Sequence, residues 1–266
     1  MSTRAGTEPL RPTWATAFLD LAPGAEERVV PFWCAVTGYA RSPWRGGHAE
    51  FATLLPPDGA DDHLCVQRLG RLDTAASRLH LDLTAAAPGA DVGPAAVRAV
   101  ALGARVQARP EDDFVVLSSP GGFVFCLVSH PGARRAAPAT WPGGHRSVVD
   151  QVCLDVPPDL WETECAFWAA LTGWELRESD REFRHLVRPA GFPLRLLLQR
   201  LDDPAPAVGA HLDLAADDRA AEVARHEALG ARVLATREQW TVLADPSATA
   251  YCITDRTPAA PSEETR

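Results

Sequence analysis

The sequence predicts an α+β protein assembled as a tandem repeat, and two observations predict it. The tetrapeptide HLDL occurs twice, at residues 80–83 and 211–214. Each copy is followed by a helical stretch and then by ALGARV, at 101–106 and 228–233. The alternation within HLDL reads as a strand, with His and Asp on one face and both leucines on the other. Any chemistry is to be sought on that polar face.

Taken in order, residues 1–13 read as a loose lead-in. WATAFLDL (14–21) alternates as a strand and is closed by Ala22-Pro23-Gly24 as a turn. Residues 26–36 are helical, with Val29, Phe32, Trp33 and Val36 at spacings of three and four and Gly38 as the stop. Short strands follow at 51–55 and 64–69. The second unit begins at His80. Its helix, about 93–102, has Pro94 in the first turn and Gly103 at the stop. Short strands around 106, 114–117 and 123–128 complete it, the last two joined by the SSPGG turn.

Residues 131–147 are rich in Pro, Gly, Ala and Arg and read as a linker. Then the pattern restarts. QVCLDV (151–156) answers TAFLDL (16–21), and FWAALTGW (167–174) answers FWCAVTGY (32–39). LQRL (198–201) answers VQRL (66–69), and Tyr251-Cys252-Ile253 answers Phe125-Cys126-Leu127. Matches in unchanged order make this an internal duplication. The domains expected are 14–130 and 148–255, each holding two strand–helix–three-strand units. The tail, 256–266, is expected to be disordered.

Composition narrows the function. The chain has 266 residues, 46% of them apolar, enough to bury a core in each domain. A net charge of −9 argues against nucleic acid or an anionic membrane surface as partner. The basic residues are all arginine, which excludes Schiff-base and phosphate-loop lysine chemistry. No stretch has signal-peptide or bilayer-spanning character, and the six cysteines include no CxxC pair. The expectation is a cytoplasmic protein with reduced, buried thiols. Internal duplication can replace dimerisation, so a monomer is expected over a homodimer.

The FWxAxTGx segment, the HLDL strand, ALGARV and the SSP or ADP turn before the last strand together resemble the vicinal oxygen chelate (VOC) superfamily. More narrowly, they resemble the tandem glyoxalase-like proteins of actinobacteria, relatives of glyoxalases, bleomycin-resistance proteins and dioxygenases. The resemblance covers nearly all of residues 14–254. It implies two tandem glyoxalase-like domains, each a pair of βαβββ units forming one curved sheet around a cup, with helices outside. Leu81, Leu83, Leu212 and Leu214 are then expected to face helices, and His80, Asp82, His211 and Asp213 to face the cups.

Metal-using members of the superfamily hold a divalent cation in the cup, on the first strand, the strand equivalent to HLDL, and the last strand. Carried onto this chain, those positions are Thr16, His80 and Cys126 in domain one and Gln151, His211 and Cys252 in domain two. The first set is no recognisable ligand group, and the second lacks a carboxylate. No cofactor is therefore expected. The alternative is a divalent metal (Zn, Ni, Fe or Mn) on Gln151, His211 and Cys252, serving a lyase, isomerase or dioxygenase. Asp82 and Asp213, two residues on from each His, are placed to orient it.

Other chemistry is weakly signalled. Cys126 with His80, or Cys252 with His211, would make a nucleophilic pair only if activated, and nothing local marks either thiol so. Asp61-Asp62, Asp112-Asp113, Asp202-Asp203 and Asp217-Asp218 read as caps and solvated faces. Trp33 and Trp168 read as core. Alternation puts Trp14 on the cup face of the first strand, and Trp240 lies on a strand near the second cup. Aromatic walls around a polar floor suit an apolar or aromatic small molecule. The function expected is metal-independent binding of such a molecule, for sequestration or transformation. A further reading leaves domain one as a structural partner of domain two.

Overall fold

The computed structural model describes residues 8–70, 79–109 and 114–259. The Asp112-Asp113 pair, residues 1–7 of the lead-in and 260–266 of the tail lie outside the described residues. The first unit runs β1 (Trp14–Leu21), α1 (Glu26–Thr37), β2 (Ala40–Arg41), β3 (Phe51–Leu55) and β4 (Leu64–Arg68). The second runs β5 (Leu79–Thr84), α2 (Gly93–Ala101), β6 (Arg105–Ala108), β7 (Phe114–Ser118) and β8 (Val124–Val128). After a short strand β9 (Ala139–Thr140), the third unit is β10 (Arg146–Val156), α3 (Trp161–Thr172), β11 (Leu176–Glu178), β12 (Phe183–Leu186) and β13 (Arg195–Arg200). The fourth is β14 (Gly209–Ala216), α4 (Arg219–Ala228), β15 (Arg232–Thr236), β16 (Trp240–Ala244) and β17 (Ala250–Thr254).

The two halves make two mixed sheets of matching strand order. One is β2-β3-β4-β1-β5-β8-β7-β6, the other β11-β12-β13-β10-β14-β17-β16-β15. The first strands of paired units lie side by side and antiparallel at the middle of each sheet. HLDL therefore occupies the centre of both. Its leucines, Leu81, Leu83, Leu212 and Leu214, are at most 1% exposed in the core, as the alternation requires.

The duplicated TG has a local cause. The Thr37 hydroxyl donates to the Trp33 carbonyl at 2.7 Å and accepts from the Tyr39 amide at 3.2 Å. Thr172 repeats both bonds, to Trp168 and from Trp174, at the same distances. Gly38 and Gly173 then take positive φ, 74° and 69°, to end the helices. Asp218 caps α4 by accepting from the Ala221 amide at 2.9 Å. Asp61 acts otherwise than expected: it accepts from the amides of Ala133 and Arg134 and ties the linker to domain one.

The helices lock the halves together. Trp33 of α1 packs edge-on to Tyr251 of β17 and donates to Asp245, and the Arg225 guanidinium donates to the last carbonyls of α1 at Ala35 and Val36. Symmetrically, Trp168 of α3 packs on Phe125 of β8. Its indole N–H donates to Glu164, whose other oxygen accepts from Gly121. Trp33 and Trp168 are thus core residues of the interface, each with its N–H satisfied by a carboxylate.

Three segments are more structured than the sequence suggests. Leu10 of the lead-in is buried and donates its amide to the Leu171 carbonyl. The linker contains β9, which pairs with β10, and Trp141, which lies under the Arg225 guanidinium at 3.5 Å. The expected disordered tail begins too early at 256: Arg256 pairs with Asp150, and the Ala259 carbonyl accepts from Arg135. Charge pairing across the sheet holds this stretch, and composition alone does not reveal it.

Glu164 is fully buried and accepts from two N–H donors, the Trp168 indole in its own helix and the Gly121 amide across the interface. Glu164→Ala is expected to cost about 2–4 kcal/mol by stranding both donors. Urea unfolding measures this, and a loss under about 1 kcal/mol would contradict the assigned role.

Candidate functional site in the second cup

The polar faces of the central strands meet in one arrangement in both domains. In β10 the residues of that face are Gln151, Cys153 and Asp155, and the register sets Gln151 opposite Asp213 and Cys153 opposite His211. In β1 the counterparts are Thr16, Phe18 and Asp20, with Thr16 opposite Asp82 and Phe18 opposite His80. The last strands add Cys252 beside Asp213 and Cys126 beside Asp82. Hence the structure brings His80, Asp82, Thr16 and Cys126 together in one cup, and Gln151, His211, Asp213 and Cys252 in the other.

Each histidine is clamped by two carboxylates. His211 Nδ1 lies 3.0 Å from Asp155 Oδ2 and its Nε2 3.3 Å from Asp213 Oδ1. His80 Nδ1 lies 2.9 Å from Asp20, while Asp82 stands off at 3.7 Å from Nε2. The strand-end carboxylates Asp20 and Asp155 are therefore the principal partners, ahead of the Asp82 and Asp213 expected to orient the rings. The sequence does carry the signal. Asp20 and Asp155 are the third residues of the duplicated FLDL and CLDV segments and share the alternating face of Thr16 and Gln151.

Protonation follows from this setting. Burial works against a charged imidazole, but the Asp155 and Asp213 carboxylates beside it outweigh that and raise His211 above the usual histidine value. His80 is raised in the same way by Asp20 and Asp82 against its burial. Burial pushes the Cys153 thiol up to about 12 and raises Cys252 as well. Cys126 is pushed up by burial and by Asp82. These thiols are not activated nucleophiles.

The two cups differ in what fills them. Phe18 stacks on His80 at 4.6 Å, with ring planes 15° apart, and meets Phe51 edge-on at 6.2 Å. Cys153 stands at the same place in domain two, and there a cavity of about 1000 Å³ opens above His211, Asp213 and Cys252. Its walls include Trp240 and Phe183, edge-on at 5.6 Å, with Leu197 and four arginines. Trp240 thus lines the cavity. Trp14 does not wall an open cup: it is 1% exposed, with its indole donating to the Asp62 carbonyl at 2.7 Å. The chain after β8 folds over it at Gly132, where a β-carbon would overlap the indole.

The superfamily's metal can be tested against these residues. His211, Asp213 and Cys252 each bring one donor atom to within 4.8 Å of the others, and His80, Asp82 and Cys126 do the same. The set Gln151, His211 and Cys252 nevertheless does not fit a divalent cation. Gln151 donates its amide N–H to Asp213, and its carbonyl oxygen accepts from Arg256 Nη1. That oxygen is occupied, and a guanidinium charge stands beside it. His211 has both ring nitrogens beside carboxylates that favour its charged form, and burial favours the thiol form of Cys252.

Paired βαβββ units in two sheets, each with a polar cup floor on its central strands, define a tandem protein of the vicinal oxygen chelate superfamily. The family description "Glyoxalase-like domain" matches residues 17–128 and again 151–254, and the chain belongs to that family. No curated protein matches it in sequence. Among solved structures it is similar to a mutant 4-hydroxymandelate synthase from Streptomyces coelicolor, with TM-score 0.56 and 18% identity over 97% of this chain and 96% of that one. It is also similar to 2,2',3-trihydroxybiphenyl 1,2-dioxygenase from Sphingomonas wittichii, with TM-score 0.58 and 15% identity over 90% and 88% of the chains. A third is homoprotocatechuate 2,3-dioxygenase from Arthrobacter globiformis, with TM-score 0.57 and 11% identity over 94% and 82%. At these identities the likeness is one of fold.

The clamp on His211 has a pH signature. Its folded value lies above its ordinary 6.5, so the stability it contributes is fully present below about pH 6.5 and is lost as pH rises through the folded value. Asp155→Asn is expected to remove much of that contribution. Unfolding followed against pH should show wild type and variant furthest apart below pH 6.5 and converging as pH rises. A gap that does not depend on pH would contradict the pairing.

Proposed function

We propose that this glyoxalase-like protein binds a small organic molecule with an apolar or aromatic body in its second cup, without a metal. The cup would serve to sequester that molecule or to hold it for metal-free transformation. The observation that carries the reading is a polar floor whose His211 and Gln151 already hold partners within the protein, lying beneath an open aromatic cavity. His211 is engaged at both nitrogens and Gln151 at both ends of its amide. Above them, Trp240 and Phe183 offer a surface of the kind that takes flat apolar ligands.

Domain one then acts as the structural partner. Phe18 fills over His80 the volume that Cys153 leaves open over His211, and α1 covers part of the fourth unit. The runner-up is a metal-dependent lyase, isomerase or dioxygenase. It is favoured by the convergence of His211, Asp213 and Cys252, and it requires His211 to lose its proton and Arg256 to leave Gln151.

Cys153→Phe copies the domain-one filling into domain two and tests the reading. Wild-type protein is expected to bind 2-naphthol with a change in tryptophan fluorescence and a rise in Tm that grows with ligand concentration. The variant should fold yet bind at least about tenfold more weakly, some 1.4 kcal/mol. Unchanged binding in a folded variant would place the ligand elsewhere and overturn the proposal.

A further inference from the structure

The strand β10 carries one residue that β1 lacks. In β1, Ala15 and Thr16 pair consecutively with Leu83 and Asp82. In β10 the same two partners are taken by Val149 and Gln151, and Asp150 is the extra residue at the irregularity between them. Such a bulge re-aims a side chain at a fixed point of a sheet. Here it delivers a buried carboxylate, 6% exposed, to the edge of the second cup.

Asp150 gathers two guanidinium groups. Arg256 Nη2 lies 2.5 Å from Oδ1, and Arg195 Nε lies 3.3 Å from Oδ2. Gln151 holds the other arm of Arg256, so its fork is fixed at two points. The Arg256 Nε–H is buried without a hydrogen-bond partner, an unmet demand at the cup wall. Domain one differs at the matching position. The residue preceding Leu64, where Arg195 stands before Leu196, is a buried His63 that burial drives down to about 4 and holds neutral.

The charge of the lining points the same way. In a chain of net charge −9, the second cup is lined by four arginines against three aspartates. Each of those aspartates is already engaged. Asp180 accepts from the amides of Glu182 and Phe183, Asp213 holds Gln151 and His211, and Asp255 pairs with Arg219 outside the cup. An anion entering the cavity therefore meets preplaced guanidinium groups, and each lining aspartate already holds a partner.

We propose that the second cup contains a subsite for an organic anion, a carboxylate carried on an aromatic ligand, with Arg256 as its anchor and Arg195 beside it. The inference rests on the proposed binding role of this cup and narrows its ligand class. A planar guanidinium fixed by Asp150 and Gln151 matches a carboxylate in shape and charge. The aromatic body then lies against Trp240 and Phe183 in the same cavity. Asp150 is thereby a positioning residue for the anchor, and Arg256 the binding residue.

Two probes of equal shape test it, 2-naphthoate and its neutral amide, 2-naphthamide, each titrated calorimetrically at neutral pH. Wild-type protein is expected to favour the carboxylate by at least about tenfold. Arg256→Gln should bring that ratio close to one, with a far-ultraviolet circular dichroism spectrum like that of wild type to show that the variant is folded. Equal binding of both probes by wild type overturns the anion subsite and leaves the aromatic cup standing. Binding of neither probe overturns both proposals. A preference for naphthoate that survives both Arg256→Gln and Arg195→Gln would assign the anion to other groups and overturn the anchor.

Discussion

The second cup depends on one interaction, the clamping of the His211 imidazole between the carboxylates of Asp155 and Asp213. Buried carboxylates demand a compensating charge, and in this fold a bound cation is one way to supply it. Here the protein's own side chains supply it instead. The His211 imidazole sits between two aspartates that favour its charged form, and Gln151 carries the linkage on to the Arg256 guanidinium. The result is a polar network across the sheet centre, from Asp155 to Asp150, in which only Asp213 Oδ1 and Arg256 Nε are buried without a hydrogen-bond partner among the atoms of these side chains. Such a network fixes side-chain orientation as well as charge. It leaves the floor rigid and the space above it available.

Duplication allows the two halves to use one framework differently. Strand order, the TG helix ends and the interfacial tryptophans are common to both. The divergence comes down to a few substitutions on the polar face. Phe18 against Cys153 decides whether a ring or a void stands over the histidine. The extra Asp150 decides whether the adjoining wall carries a tethered guanidinium pair. A filled cup contributes packing, an open one gives up that packing for a binding surface, and the crossed helices let the first support the second.

Much of this was legible in the residues themselves. The repeat of HLDL, the TG helix ends and the alternation of WATAFLDL determine strand, helix and face, because each rests on local periodicity or local capping. The grouping of Gln151, His211 and Cys252 came from the family resemblance, and the register brings those positions together. Asp20 and Asp155 were equally visible in the duplicated LDL and LDV, on the face already singled out. Other features were not legible. A one-residue bulge at Asp150 leaves no compositional mark, and Arg256 lies in a polar tail whose partners are more than a hundred residues away. Trp14 sits on the face that alternation predicts, but its burial depends on where the chain after β8 runs. Long-range pairing and loop course, unlike periodicity, are set by tertiary contacts.

The central claim is that the floor of the second cup is electrostatically complete without a metal ion. Long-range proton–nitrogen NMR of the histidine side chains tests it most directly, assigned with His211→Gln and recorded at neutral pH before and after zinc is added. The account predicts that His211 has both ring nitrogens protonated and that its signals do not move with zinc. A neutral imidazole with an unprotonated Nε2, shifting as one equivalent of zinc binds, would contradict it.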